Sequence, residues 1–271
     1  MIRNLLIACL LAFGAQADTL DLNGKFTQGG LVLGRTDAGT KVVYEGKPIR
    51  VSRDGIFVIG FNRDAKPTAS LVLTYRNGST RREVLRISKR KYKIEAIDGL
   101  PAAKVSPPKK VIERIKRESI LVALARKPDT PETHFLKGWR WPTIGRISGV
   151  YGSQRILNGV PKRPHYGIDI AAPKGTPVIA PTSGIVRMVH KDMYYSGGTM
   201  IIDHGHGVSS AFLHMETISV KKGQRVAQGE RIGTVGATGR STGPHLDWRI
   251  NLFKRRLDPE LLVGPMPKQG N

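Results

Sequence analysis

Five residues in the C-terminal half of the chain carry side chains suited to binding a metal ion: His165, Asp169, His214, His245 and Asp247. Imidazole and carboxylate groups are common zinc ligands, and a catalytic zinc takes three of them plus a water. Residues two apart in a β-strand point to the same face, so His245 and Asp247 can face one cleft. The pattern therefore indicates a metal site, while the spacing alone leaves open which of the five bind the ion.

The sequence contains few signals for catalytic mechanisms that do not use a metal site of this kind. It has no His-Glu-x-x-His helix, which would supply a glutamate base, and no nucleophile elbow. Cys9 is the only cysteine. The pair His204-x-His206 also has a ligand-like spacing, but it lies in a glycine-rich stretch that is typical of a hairpin turn, so we interpret it as structural. Metal-assisted chemistry is favoured over nucleophilic catalysis.

The motifs around these residues resemble those of the lysostaphin/LytM family of zinc endopeptidases, which cut bacterial peptidoglycan peptides. The order of the motifs and their intervening glycines match from about Trp141 to Pro259. The matching segments begin with His-x-Gly-x-Asp at 165–169, continue through Phe-Leu-His-Met at 212–215, and end with Gly-Pro-His-Leu-Asp at 243–247.

The resemblance implies a role for each candidate residue. His165 and Asp169 correspond to metal ligands, and His214 and His245 to the catalytic histidines. The family pattern ends in His-x-His, whereas this chain has Asp247 at the second position. We expect Asp247 to be the third ligand, since carboxylates bind zinc well. The expected cofactor is one zinc ion per chain, with manganese left open because two carboxylates also suit it.

The change to Asp247 predicts an electrostatic effect. Two carboxylates formally neutralise a divalent ion, which weakens its Lewis acidity and raises the pKa of its bound water. We therefore expect a slower or more alkaline-shifted hydrolase than family members that have histidine at this position.

The function implied by the resemblance is zinc endopeptidase activity on peptidoglycan, with loop residues Tyr194, Tyr195 and Arg240 as candidate substrate contacts. The alternative is a catalytically inactive regulator with the same fold that binds or activates other cell-wall hydrolases. A general secreted protease is the weaker third hypothesis. Retention of a metal-competent group at position 247 favours the enzyme.

The N-terminus predicts export. Arg3, an apolar stretch from Leu5 to Ala12, and Ala15-Gln16-Ala17 form the pattern of a secretory signal cleaved after Ala17. The apolar stretch is too short to span a bilayer, and no other segment predicts a transmembrane helix. We expect a periplasmic or extracellular protein whose mature form has no cysteine.

The formal net charge of +23 predicts a polyanionic partner. Export and the lack of any nucleic-acid-binding motif argue against DNA and RNA. Anionic envelope polymers, in addition to peptidoglycan or another wall hydrolase, are the expected partners.

The chain is predicted to be mainly β and to divide at changes in composition. Residues 18–100 contain short strand patterns and an Asn77-Gly78 hairpin signal, which indicate a small N-terminal β-domain. Residues 101–138 contain a linker and a basic amphipathic helix over Pro108–Arg126. Residues 139–265 predict an antiparallel β-sheet peptidase domain. The N-terminal domain contains no histidine, so its expected role is docking to the cell wall or to a partner, or covering the active-site groove.

Overall fold

The computed structural model describes residues 18–267. Strands make up 44% and helices 12% of the chain, which confirms the predicted mainly β class. The predicted signal segment lies outside the described residues. Within residues 18–267, no helix is long and apolar enough to cross a membrane.

The N-terminal part contains two antiparallel sheets. One has the strand order β1-β2-β5 and the other β4-β3-β6-β7. Strand β6 alternates exposed and buried residues, as a strand with one solvated face does. The turn between β6 and β7 contains Asn77-Gly78, so the predicted hairpin is confirmed. The strands are β1 (Leu20–Gly24), β2 (Leu31–Thr36), β3 (Lys41–Tyr44), β4 (Lys47–Ile49), β5 (Ile56–Gly60), β6 (Thr68–Thr74) and β7 (Thr80–Arg86).

Strand β5 is buried on both faces and joins two hydrophobic cores. Phe57 and Ile59 pack into the core of the N-terminal part. Ile56 and Val58 point the other way and pack, with Leu31, into the large core of the C-terminal part. The two halves of the chain are therefore in apolar contact through one strand.

The C-terminal part is built on a ten-stranded sheet with the main order β17-β14-β15-β16-β19-β12-β9. A smaller sheet pairs β8, from the N-terminal half, in parallel with β10. The strands are β8 (Ile94–Ile97), β9 (Arg146–Gly149), β10 (Gln154–Leu157), β11 (Val160–Pro161), β12 (Ile168–Ala171), β13 (Pro177–Ile179), β14 (Gly184–Met193), β15 (Gly197–Gly205), β16 (Val208–Ile218), β17 (Arg225–Val226), β18 (Arg231–Val235), β19 (His245–Leu252) and β20 (Arg255–Leu257).

Helix α2 lies against the face of the large sheet that carries the candidate ligands. Its Val122 and Ala125 pack with Ala211 and Leu213 of β16. Leu213 is the direct cross-strand partner of Asp247, so the two side chains point to the same face. The helices are α1 (Ala102–Val105), α2 (Lys109–Ala125) and α3 (Glu260–Val263), with a 3-10 turn at His134–Lys137. The predicted helix over 108–126 is confirmed to within one residue at each end.

Candidate active site

Two adjacent strands bring the two candidate carboxylates together. Asp169 on β12 is the direct cross-strand partner of Asp247 on β19. On β19, Leu246 and Trp248 point into the hydrophobic core, which turns Asp247 to the opposite face. Gly167 leaves room for this approach, because a Cβ at that position would lie 2.6 Å from Asp247 Oδ1. The pleat and the register therefore place both carboxylates on one face.

His165 completes a compact group with these carboxylates. Its Nε2 lies 3.1 Å from Asp169 Oδ1 and 3.5 Å from Asp247 Oδ1. One ligand atom from each of the three residues lies within 4.8 Å of the others, and all three residues are buried. The structure thus brings together the three residues predicted to bind the metal.

The unsatisfied atoms of this group fit a bound cation. His165 Nδ1, His165 Nε2 and Asp169 Oδ1 are enclosed and have no hydrogen-bond partner among the described residues. Buried polar atoms are nearly always paired, so such a convergence needs an explanation. One nitrogen of His165, Asp169 Oδ1 and an oxygen of Asp247, which also accepts from Arg249, form a donor set that zinc accepts and that does not exclude manganese.

The three groups also perturb one another's ionisation. Burial acts to lower the pKa of His165, but Asp169 and Asp247 act more strongly together and raise it above its usual value. Burial opposes ionisation of Asp247, while Arg249 and His165 hold its pKa well below its usual range. The cluster by itself therefore favours a protonated imidazole between two carboxylates, and a metal ion would replace that proton.

His214 and His245 lie beside the cluster, with ring centroids 4.7 Å apart. His214 Nδ1 donates to the Thr238 carbonyl at 2.7 Å, and His245 Nδ1 donates to the Gly243 carbonyl at 2.9 Å. Each Nε2 is then the atom left free to accept a proton. Burial, assisted by His245, lowers the pKa of His214 to about 4, so this imidazole is neutral at neutral pH.

The backbone at His214 is unusual. Its φ of 63° lies in the left-handed region, which residues other than glycine rarely adopt. Such strain persists only where the surrounding structure holds it, and it occurs often at functional sites. Here the His214 N–H donates to the Ser196 carbonyl at 2.8 Å, which fixes the conformation.

Two arginines that the sequence reasoning missed pair with the candidate ligands. Arg249 donates from Nε to Asp247 Oδ1 at 2.9 Å and from Nη2 to Asp247 Oδ2 at 2.5 Å. Arg155 pairs with Asp169 Oδ2. Arg249 follows Asp247 by two residues on a strand, so the sequence could have predicted that the two side chains share a face. Nothing in the sequence links Arg155 to Asp169.

Two cavities open onto the site. A cavity of about 180 Å³ is lined by Asp169, His214 and His245, with Ile97 and Leu100 from the N-terminal half as further walls. A cavity of about 580 Å³ is lined by His165, His214 and Asp247 and extends to α2. Residues 101–138, which join the two halves and are called the connector below, therefore form part of the walls around the candidate site.

The three residues predicted to contact substrate differ in whether they line a cavity. Arg240 lines both cavities and Tyr195 lines the larger one. Tyr194 is buried, and its hydroxyl donates to the Ala103 carbonyl at 2.6 Å. Tyr195 and Arg240 remain candidate substrate contacts. Tyr194 holds the connector instead, and its placement does not support a direct contact.

The pair His204 and His206 lies outside the metal cluster. His204 Nδ1 donates to the Ser183 carbonyl at 2.7 Å, and its Nε2 accepts from Ser210 Oγ at 2.6 Å. His206 packs edge-on against Phe135. These contacts agree with the structural interpretation of the pair.

The sequence profile of Peptidase family M23 matches residues 163–259, which contain all five candidate ligand and catalytic residues. A crystal structure from Pseudomonas aeruginosa, described as that of a candidate peptidase M23, is 30% identical and superposes with a TM-score of 0.68. That match covers 89% of this chain and 95% of the Pseudomonas chain. The chain belongs to peptidase family M23. The family predicted from the motifs is thereby confirmed.

Two curated relatives each match about two fifths of the chain. The Peptidoglycan DD-endopeptidase ShyA of Vibrio cholerae is 45% identical over 107 residues, which is 39% of this chain and 24% of ShyA. The DD-carboxypeptidase/endopeptidase Mpg of Neisseria meningitidis is 40% identical over 106 residues, again 39% of this chain and 24% of the relative. The chain therefore aligns with about a quarter of the length of these M23 relatives.

Proposed function

We propose that this M23 protein is a zinc-dependent endopeptidase that hydrolyses peptide bonds of bacterial peptidoglycan. The observation that carries the proposal is the convergence of His165, Asp169 and Asp247 beside the paired rings of His214 and His245. The name of the relative ShyA, a peptidoglycan DD-endopeptidase, supports peptidoglycan as the substrate.

His165, Asp169 and Asp247 would hold the zinc ion, with manganese as the other candidate metal. When bound, the ion supplies a Lewis acid and lowers the pKa of a water molecule. The protein's own part is to hold the three ligands at a buried position and to orient His165 between two carboxylates.

The two histidines would handle the protons. His214 is neutral and has a free Nε2, so it is suited to accept the proton of the attacking water. His245 Nε2 makes no hydrogen bond among residues 18–267 and lies 3.9 Å from Asp169 Oδ1. Once its Nε2 has taken up a proton, it is suited to donate that proton to the oxyanion or to the leaving amine.

We also propose that the protein acts outside the cytoplasm, where its substrate lies. The basic signal-like N-terminus supports this location, and the net charge of +23 suits binding to an anionic envelope. Anionic wall polymers and other wall hydrolases are the proposed additional partners.

The proposal is tested by muropeptide release from purified peptidoglycan. We expect release by the zinc-loaded protein, loss after chelation, and recovery with one equivalent of zinc. His214→Gln should reduce the rate by about 10²–10⁴-fold. Arg53→Gln, an exposed change on the N-terminal part, is the matched control and should leave the rate unchanged. A zinc-loaded protein that releases nothing would contradict the proposal.

One observation favours the alternative of an inactive regulator. Both oxygens of Asp247 are engaged by Arg249, which is the arrangement expected where a salt bridge has replaced a metal ligand. A regulator would release no muropeptide alone but would increase release by a second hydrolase. The same assay with and without a second wall hydrolase separates the two functions.

A further inference from the structure

The larger cavity beside the metal-ligand cluster is strongly basic. Its volume is about 580 Å³. Among the described residues that line it, seven are arginine or lysine and Asp247 is the only carboxylate. Both oxygens of Asp247 are already bonded to Arg249. The cavity therefore presents several positive charges and no free negative group of its own.

Three of these cations are engaged by the protein. Arg249 pairs with Asp247, and Arg155 pairs with Asp169. Arg240 donates to the Lys104 carbonyl at 3.2 Å and lies over the ring of Tyr195. Because protein partners engage these three side chains, fewer of their N–H groups remain for an anionic ligand.

The other four cations are Arg126, Lys162, Arg163 and Arg256; Arg163 is exposed, whereas Arg126, at the C-terminal end of α2, is half-buried. Its Nε is enclosed and makes no hydrogen bond among the described residues. Burial and the neighbouring Arg256 and Arg249 lower its pKa well below the usual value. A cation held in such surroundings is destabilising unless an anion reaches it.

Arg256 lies next to Arg126 and is also incompletely paired. One of its terminal nitrogens donates to Asn251 Oδ1 at 2.7 Å, and no carboxylate pairs with it among the described residues. Burial, with Arg249, lowers its pKa to about 10. Arg126 and Arg256 can thus offer free N–H groups to one ligand in the cavity.

We propose that Arg126 and Arg256 form a subsite that binds a carboxylate of the substrate peptide. Guanidinium groups bind carboxylates through two parallel hydrogen bonds. The cavity is also lined by His165, His214 and Asp247, so a ligand held there lies beside the groups that would cleave it. This position favours a carboxylate of the substrate itself over a phosphate of a separate wall polymer.

The subsite rests on the proposed function and adds a substrate preference to it. A peptide with free carboxylates near the scissile bond is bound better than the same peptide with those groups amidated. A neutral cross-bridge, such as a glycine chain, lacks the anion that Arg126 requires.

The test is direct binding of two synthetic stem-peptide dimers, one with free carboxylates and one with all carboxylates amidated. Binding is measured by calorimetry on the full chain carrying His245→Gln, so that cleavage does not interfere. We expect the free-carboxylate dimer to bind about tenfold more tightly. Arg126→Gln should remove this difference, while Arg53→Gln, an exposed change of the same type, should keep it.

The thermal stability of Arg126→Gln provides the second readout. Arg126 has an enclosed Nε and no side-chain partner among the described residues, so its removal should leave the Tm of the ligand-free protein unchanged or higher, whereas removal of a structural arginine would lower the Tm. Equal binding of the two dimers, or a preference that persists in Arg126→Gln, overturns the subsite alone. Failure to bind either dimer overturns the peptidoglycan substrate as well. Competition by inorganic phosphate as strong as that by the peptide would assign the cavity to a phosphate ligand and overturn the carboxylate subsite.

Discussion

At the residue scale, the charge of the candidate site depends on each carboxylate ligand together with the arginine that pairs with it. The sequence predicts that Asp247, in place of a histidine, weakens the Lewis acidity of the metal. The structure adds Arg249 on Asp247 and Arg155 on Asp169, and each guanidinium offsets one carboxylate. The expected alkaline shift should therefore be small in the native protein.

Removing Arg249 tests this balance. In Arg249→Gln, Asp247 loses its cationic partner, so the site becomes more negative and the pKa of a metal-bound water rises. We expect the acidic limb of the kcat/KM–pH profile to move to higher pH by about one unit. Arg231→Gln, an exposed arginine on β18, is the matched control and should leave the profile in place. If the pH profiles of Arg249→Gln and the native protein coincide, the charge of Arg249 does not offset that of Asp247.

His165 makes metal binding dependent on pH. Burial opposes its protonation, but Asp169 and Asp247 outweigh burial and raise its pKa in the metal-free protein. Below this raised pKa, binding must expel a proton, so the metal affinity should fall about tenfold per pH unit as the pH decreases. Above it, the affinity should level off. Calorimetric titration with zinc at about pH 6, in two buffers with different ionisation enthalpies, should show release of close to one proton on binding. If no proton is released, His165 is not a ligand that loses its proton to the metal.

At the element scale, the sequence predicted individual elements better than their contacts. The amphipathic pattern predicted the helix over 108–126, and the shared strand face predicted for His245 and Asp247 lies on β19. The docking of α2 on β16 depends on residues far apart in the chain and on the register of the sheet, for which a single sequence carries no signal. For the same reason, Arg126 could not be predicted to reach the site.

The docking of α2 should control the substrate preference. Ala125→Asp places a charge in the buried contact with Ala211 and Leu213 and should detach the end of the helix that carries Arg126. We expect this variant to lose the preference for free carboxylates as fully as Arg126→Gln does. Ile120→Asp, on the same helix at a residue that is 58% exposed, should keep the preference. The comparison uses the two peptide dimers, and equal behaviour of the two helix variants would argue against this role of α2.

At the scale of the whole molecule, the two halves share apolar contacts that the sequence did not reveal. Ile56 and Val58 of β5 pack into the core of the C-terminal part. We therefore expect one cooperative calorimetric transition for both halves. Ile56→Ala should lower the free energy of unfolding by about 2–5 kcal/mol and shift that single transition to lower temperature. Two separate transitions, with only the N-terminal one shifted, would show that the halves unfold independently.

The most direct test of the account is the metal content of the native protein beside Asp247→Ala and Asp247→His, measured by mass spectrometry after dialysis against zinc. We predict one zinc per chain in the native protein, at least about tenfold weaker binding in Asp247→Ala, and binding retained in Asp247→His. A native protein that binds no zinc, beside an Asp247→His variant that does, would mean that the Asp247–Arg249 pair has closed the site.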